Sequence, residues 1–186
     1  MVDEYLKMCD DFLDIISKHE DITGNLVRDM LKKYASTISV FDMMSASAQI
    51  IEENKYVQES YRKDSEKSYV EIFIFRVKDI MTDSKDYQKI IDKKDIADSI
   101  ETLKSNYING TQDSQSKTPI MGCLASIYTT FILEEPIHKV GTPFPGSQKV
   151  EEKNGKFYCP VKDSNIDTPT DVCNICLAEQ SDIGMA

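Results

Sequence analysis

The sequence predicts a mainly α protein, a helical bundle of about six helices followed by a Pro-rich C-terminal tail that carries a small β-hairpin and a candidate metal site. Apolar residues recur at steps of three and four in several separate segments of the first 135 residues, which is the period of a helix with one buried face. Five of the six prolines lie at position 136 or later, so turns and short strands are expected there. We therefore expect a helical domain over residues 1–135 and a tail over residues 136–186, packed together as a single folding unit.

The first three helices are each marked by one apolar stripe. These stripes run from Val2 to about His19, from Gly24 to Tyr34, and from Phe41 to about Asn54. Ser39, followed three residues later by Asp42, is a weak capping-box signal for the start of the third helix. Cys9 falls on the first stripe, where a buried thiol packs as a small apolar group.

The middle of the chain is less regular. Segment 68–81 fits either a helix or a buried strand, and its length without Gly or Pro favours the helix. Apolar residues continue from Tyr87 to Tyr107, interrupted by four charged residues at 92–95. We interpret this charged run as a solvated helix face in preference to a helix break. Residues 109–117 are polar and rich in turn formers, which predicts a loop.

The most apolar helix is expected next. Thr118 and Pro119 are typical of an N-cap followed by proline at the first helical position. The apolar pattern then continues through Leu133, and Pro136 ends it. We predict that this is the central and most buried helix.

In the tail, residues 149–159 predict a short β-hairpin. Asn154-Gly155 lies at its centre, and this dipeptide is the strongest short-range hairpin signal. The hairpin would end at Cys159, beside one of the candidate metal ligands.

Composition limits the classes of partner. The chain of 186 residues carries 22 Lys and Arg against 32 Asp and Glu, a formal net charge of −10. A field of this sign repels phosphate backbones and anionic lipid, so nucleic acid and membrane surfaces are disfavoured, and a protein partner is the expectation. The N-terminus lacks the basic start and apolar stretch of a signal peptide, so we expect a cytoplasmic protein.

Several blocks of sequence resemble an uncharacterised protein family of methanogenic archaea. The blocks are Ser39–Met44, Ser60–Lys63, Tyr128–His138, Gly141–Gly146, Tyr158–Lys162 and Cys173–Cys176. The resemblance covers roughly residues 36–180. It implies the cytoplasm of strict anaerobes, where iron–sulfur proteins are common, and it implies no substrate.

Three of the five cysteines lie close together in the tail, a pattern that favours a metal over a disulfide framework. Cys173 and Cys176 form a Cys-x-x-Cys pair, whose spacing lets two thiolates face one ion from a single turn. Cys159-Pro160 is similar to half of a zinc-ribbon knuckle, although a second cysteine near Lys162 is absent. His138 is the favoured fourth ligand, and Cys123 in the apolar helix is the alternative.

The ligand set leaves the identity of the metal open. One His and three Cys residues predict a closed, structural zinc site. With Cys123 as the fourth ligand, four thiolates could instead hold a [4Fe–4S] cluster. A redox dithiol at Cys173 and Cys176 is less favoured, because no thioredoxin-like βαβ pattern surrounds it.

The sequence therefore predicts a metal-binding accessory or interaction protein. The competing hypothesis is an iron–sulfur protein with a redox or enzymatic role. No phosphate-binding glycine loop and no Gly-x-Ser-x-Gly motif is present, so nucleotide-dependent and hydrolase functions have no support. Whether the chain is an enzyme stays open at this point.

Overall fold

The computed structural model describes residues 3–110, 116–165 and 172–181, and these residues are mostly helical. They contain seven helices of seven or more residues: α1 (Glu4–Lys18), α2 (Gly24–Ala35), α3 (Val40–Asn54), α4 (Glu59–Tyr69), α5 (Arg76–Thr82), α6 (Lys93–Asn109) and α7 (Thr118–Ile127). A π-helical segment, Val70–Phe75, joins α4 to α5, and a second, Tyr128–Leu133, extends α7. The predicted mainly α class is confirmed.

The remaining elements are short. The strands within the described residues are β1 (Ile22–Thr23), β2 (Ile90–Ile91), β3 (Pro143–Phe144), β4 (Gln148–Lys149), β5 (Glu151–Lys153), β6 (Lys156–Cys159) and β7 (Glu179–Gln180). β1 pairs with β2, β3 with β4, and β5 with β6, each in antiparallel fashion, while β6 pairs with β7 in parallel. A single helical turn, α8 (Lys162–Asn165), and a 3₁₀ turn, Cys173–Ile175, complete the tail.

The predicted starts of α1 and α3 agree with the structure. Asp3 caps α1 by accepting from the N–H groups of its first turn, and Val2 lies outside the described residues. At α3 the hydroxyl of Ser39 accepts from the N–H of Asp42, and the Asp42 carboxylate accepts from the N–H of Ser39 at 2.7 Å. This capping box satisfies two backbone donors that the first turn leaves open.

The charged run at 92–95 was wrongly interpreted as a solvated helix face, because it starts a helix. The Asp92 side chain accepts from the N–H of Asp95 at 2.9 Å and so caps α6. The two preceding residues, Ile90 and Ile91, are extended in β2 and pair with β1. Pairing with a strand more than 60 residues away is a long-range event, and local periodicity does not report it.

Two further details differ from the sequence predictions. Thr118 is the first residue of α7 and not its cap, and the capping position, Lys117, makes no side-chain bond to the helix. Helix α4 was not predicted, because none of its residues is buried and it has no apolar stripe to recognise. The predicted loop at 109–117 falls partly on residues 111–115, which lie outside the described residues.

Helix α7 is the centre of the core, as predicted. Its buried residues are Ile120, Met121, Cys123, Leu124, Ala125, Ser126 and Ile127. Ile175 of the tail joins this main core, whereas Val150, Cys159 and Ala178 form a small second cluster within the tail. Among the described residues, the tail is therefore attached to the main core through the buried side chains of Ile137 and Ile175, and it also has an apolar centre of its own.

The predicted hairpin is confirmed. β5 and β6 pair with Lys153 opposite Lys156, and the two turn residues Asn154 and Gly155 have φ of 55° and 76°. Positive φ at both positions is what a two-residue type I′ turn requires, and its twist matches that of the strands. The turn fixes the register that ends β6 on Cys159.

Candidate metal centre

The end of α7 brings His138 to the tail. Glu134 closes the helical run in the left-handed conformation, with φ of 55°, and turns the chain sharply. Pro136 and Ile137 then pack inward as buried residues. Because these two positions are held by burial, the half-buried side chain of the next residue, His138, is placed facing the tail strands.

Parallel pairing of β6 with β7 brings the other three residues near one another. Cys159 lies at the end of β6 opposite Gln180, and its carbonyl accepts from the N–H of Ser181 at 3.0 Å. The chain leading into β7 contains Cys173 and Cys176. A parallel connection therefore returns the Cys-x-x-Cys segment to the side of the hairpin on which Cys159 lies.

The Cys-x-x-Cys segment forms a tight turn. The N–H of Cys176 donates to the carbonyl of Cys173 at 3.2 Å, and the N–H of Ile175 donates to the carbonyl of Val172 at 3.2 Å. The Lys162 ammonium group donates to the carbonyls of both Cys173 and Cys176, the second at 2.8 Å. One cation thus fixes both ends of the turn from outside.

All four predicted ligands line one small cavity, which we call the tail cavity. It lies between His138, Cys159, Cys173 and Cys176, and its volume of about 10 Å³ accommodates a single water-sized sphere. Within residues 3–110, 116–165 and 172–181, no three His, Cys, Asp or Glu side chains stand close enough together to hold a metal ion as they are. The four residues surround the cavity without forming a finished coordination shell.

Polar groups around the tail cavity suit an anionic sulfur. The backbone N–H of Ile137 donates to the Sγ of Cys176 at 3.4 Å. Lys162, which also lines the cavity, supplies a positive charge next to the turn. A backbone donor and a cation therefore both lie beside the Cys-x-x-Cys turn.

Two aromatic rings orient the imidazole of His138. The ring of Tyr69 meets it edge-on with a centroid distance of 5.7 Å, and that of Phe144 does so at 5.4 Å. The Nε2 atom of His138 is buried. The imidazole is therefore held between α4 of the body and strand β3 of the tail, and one ring nitrogen is screened from solvent.

Cys123, the alternative fourth ligand, lies elsewhere. It is buried in α7, and its thiol lies beside that of Cys9 in α1. The neighbouring Cys123 thiol, with burial in second place, raises the pKa of Cys9 far above its usual range. Cys123 does not line the tail cavity, so the structure separates the four-thiolate set that a cluster would need.

Lys162 is the participant that sequence reasoning missed. It follows Cys159-Pro160 by two residues, in the position where a complete zinc knuckle would carry a second cysteine. The only available signal was its closeness in sequence to Cys159. Its contact with the Cys173 turn depends on the fold of the whole tail and could not be read from spacing.

Sequence comparison identifies the family. Residues 23–181 match the family described as an uncharacterised protein conserved in archaea (DUF2115), and the chain belongs to this family. The match starts before residue 36, where the resemblance was expected to begin, and so includes α2. No solved structure matches the chain.

The particular relatives come from methanogens. The chain is 36% identical over 158 residues to a UPF0305 protein of Methanothermobacter thermautotrophicus, covering 82% of this chain and 93% of the relative. It is 25% identical over 159 residues to a UPF0305 protein of Methanocaldococcus jannaschii, covering 83% and 94%. Among the described residues, no helix combines the length and apolar character needed to cross a membrane.

Proposed function

We propose that this chain binds one zinc ion through His138, Cys159, Cys173 and Cys176, and that it works in the cytoplasm as a metal-binding accessory or interaction protein. The observation that carries the proposal is that four residues chosen by type and spacing alone line one cavity with room for one small sphere. Three thiolates and one imidazole would fill a tetrahedral shell, so the ion has a structural and not a catalytic role.

The donor set favours zinc over an iron–sulfur cluster. A [4Fe–4S] cluster takes four thiolates, and the fourth candidate, Cys123, lies in the core beside Cys9. A cluster is also much larger than a single ion, whereas the cavity volume is about 10 Å³. The iron–sulfur alternative would need both a new ligand and a rearranged tail.

The surroundings also match the charge of the proposed site. Zinc with three thiolates and a neutral imidazole carries a net charge of −1, which is costly to bury without a counter-charge. Lys162 lies at the cavity and already donates to the turn carbonyls of Cys173 and Cys176. It is the natural partner for that residual negative charge.

The role we assign to the ion is to fasten the tail to the helical body. The Thr130 hydroxyl in the π-helical end of α7 donates to the carbonyl of Ile175 at 3.3 Å, and the Ile175 side chain is buried in the main core. Among the described residues, the second apolar cluster contains three buried side chains, and we infer that this is too small a core to order the tail alone. Metal binding therefore supplies folding energy to this segment.

The test is metal analysis of protein purified without oxygen, followed by Co²⁺ substitution. We expect about one zinc per chain and no absorption near 400 nm. Substituted Co²⁺ should show thiolate-to-metal charge-transfer bands and intense visible bands, both typical of tetrahedral sulfur ligation. About four irons with broad absorption near 400 nm would support the iron–sulfur alternative. Absence of any metal after reconstitution would overturn both.

Matched variants assign the ligands. His138→Ala and Cys176→Ser should each weaken zinc retention by at least about 10-fold, measured by competition with a chromophoric chelator. His19→Ala is the control for the first, because the other histidine is exposed at the end of α1. Cys9→Ser, in the core, is the control for the second. Equal, small effects of Cys176→Ser and Cys9→Ser would contradict the site.

A further inference from the structure

Helix α3 carries an exposed apolar stripe on the side away from the core. Val40, Phe41, Met44 and Ile51 are 67%, 82%, 63% and 54% exposed, and Tyr56 just beyond the helix is 83% exposed. Ala48, in the middle of the stripe, is also exposed. The five helical positions of this set fall on one face about 100° wide, which is the width of a stripe that packs against another element, and Tyr56 extends it beyond the C-cap.

The inward face of α3 is already occupied. Met43, Ala46, Ile50 and Asn54 are buried against the body. The stripe is therefore a second apolar surface and not a misplaced part of the first. Exposed apolar residues are normal when scattered, but a contiguous patch marks an interaction site.

We propose that this stripe is a homodimer interface in which α3 of two copies pack antiparallel about a two-fold axis at Ala48. A two-fold interface must be complementary to itself, and the stripe has the required symmetry. The side chain at the middle of the stripe, Ala48, is small, and the side chains at both ends are large. Reversing one copy lays Met44 beside Ile51 of the second copy, and Val40 beside Tyr56 of the second copy.

Charge on the stripe favours the same arrangement. Lys55 is the C-cap of α3 and is ion-paired with Glu52 of the same chain. The two-fold places it beside Phe41 and within one turn of Asp42 of the second copy. Both capping bonds of the Asp42 carboxylate use Oδ2, which leaves Oδ1 able to accept from Lys55. Antiparallel packing also sets the positive end of each helix against the negative end of the other.

The available area is adequate for a dimer of moderate affinity. A fully covered aromatic side chain buries about 150–250 Å², so the five large side chains together offer on the order of 600 Å² per copy. A standard interface takes about 800 Å² per partner. The flanking polar residues Ser45 and Glu52 would complete the area and form the rim.

Sedimentation velocity of the full zinc-loaded chain between about 1 and 100 μM tests the proposal. We expect a concentration-dependent monomer–dimer equilibrium. Ala48→Glu places two carboxylates face to face at the axis and should raise the dissociation constant at least about 30-fold. Ile108→Glu, at a 60% exposed position on α6, is the matched control and should leave the equilibrium unchanged.

Cross-linking gives an independent measurement. Ala48→Cys lies on the axis, so oxidised glutathione should convert it to a disulfide-linked dimer, while Ile108→Cys should stay monomeric on a non-reducing gel. Both substituted positions are exposed and helical, so circular dichroism should match the wild type. A chain that is monomeric throughout the range, or a dimer that survives Ala48→Glu, overturns the proposal. Neither result bears on zinc binding, which is measured separately.

Discussion

The backbone N–H of Ile137 donates to the Sγ of Cys176 at 3.4 Å, across 39 positions of the chain. This bond joins the segment that follows α7 to the Cys-x-x-Cys turn. The contact fixes the position of the Cys176 sulfur relative to the segment that carries His138. Other hydrogen bonds join the helical body to the tail: the Thr130 hydroxyl donates to the carbonyl of Ile175, and the N–H of Ser147 donates to the Tyr61 hydroxyl.

Lys162→Met should weaken zinc retention by about 10-fold while leaving the helical body intact. The variant removes the donor to the carbonyls of Cys173 and Cys176 and the counter-charge of the proposed site. Chelator competition measures the affinity, and circular dichroism reports the helices. Lys156→Met, which removes an exposed partner of Glu179, is the control. Full zinc affinity in Lys162→Met would show that the lysine only packs the tail.

Cys123→Ala should lower the free energy of unfolding by about 1–2 kcal/mol and leave zinc affinity unchanged. The thiol is buried beside Cys9 in the main core, so its loss creates a small cavity between α1 and α7. Urea unfolding and chelator titration separate the two effects. Release of the metal by Cys123→Ala, but not by His138→Ala, would mean that the ligand assignment is wrong.

Tyr128→Phe should destabilise the protein by about 1–3 kcal/mol at neutral pH. The Tyr128 hydroxyl donates to the buried Asp83 carboxylate at 2.8 Å, and the N–H of Lys85 donates to the same group at 2.9 Å. Burial alone would raise the pKa of Asp83, but these hydrogen bonds outweigh it and lower the pKa below its usual value. Tyr158→Phe, in strand β6 and away from Asp83, is the control and should cost much less.

The hydrogen bond from Tyr128 to Asp83 also predicts how the stability of the protein depends on pH. Since the pKa of Asp83 is depressed in the folded state, its stabilisation is fully present above the unfolded value of about 3.9 and is lost as the pH falls through the lower folded value. The difference between wild type and Tyr128→Phe should therefore shrink in urea unfolding below about pH 4. A difference that stays constant down to pH 2 would exclude the carboxylate as the partner that matters.

Two glycines should respond in opposite directions to alanine. A Cβ at Gly24 would lie 2.7 Å from the Cβ of Tyr87 and 3.1 Å from the Tyr87 carbonyl oxygen, so Gly24→Ala should lower the free energy of unfolding by about 1–3 kcal/mol.

A Cβ at Gly122, within α7, would meet nothing within 4 Å, so Gly122→Ala should raise the free energy of unfolding by about 0.5–1 kcal/mol through helix propensity. Thermal unfolding measures both, and stabilisation by Gly24→Ala would contradict the close approach of α2 to Tyr87.

Local patterns predicted the elements whose causes are local. The stripes of α1, α2 and α3, the capping box at Ser39 and the hairpin at Asn154-Gly155 follow from spacing and turn chemistry within a few residues. Helix α4 could not be predicted from an apolar stripe, because no residue in it is buried. The break before α6 was misread because β2 is defined by its pairing with β1 and not by its own sequence.

For the candidate site, residue types and spacing alone determined the candidates: Cys159, the Cys173–Cys176 pair, and either His138 or Cys123. They did not determine where these candidates lie relative to one another. The tertiary structure decided that point, because parallel pairing of β6 with β7 and the turn after α7 place His138 at the tail cavity, while α7 holds Cys123 in the core. Spacing records what lies within one turn or hairpin, whereas contact between distant segments depends on how the whole chain packs.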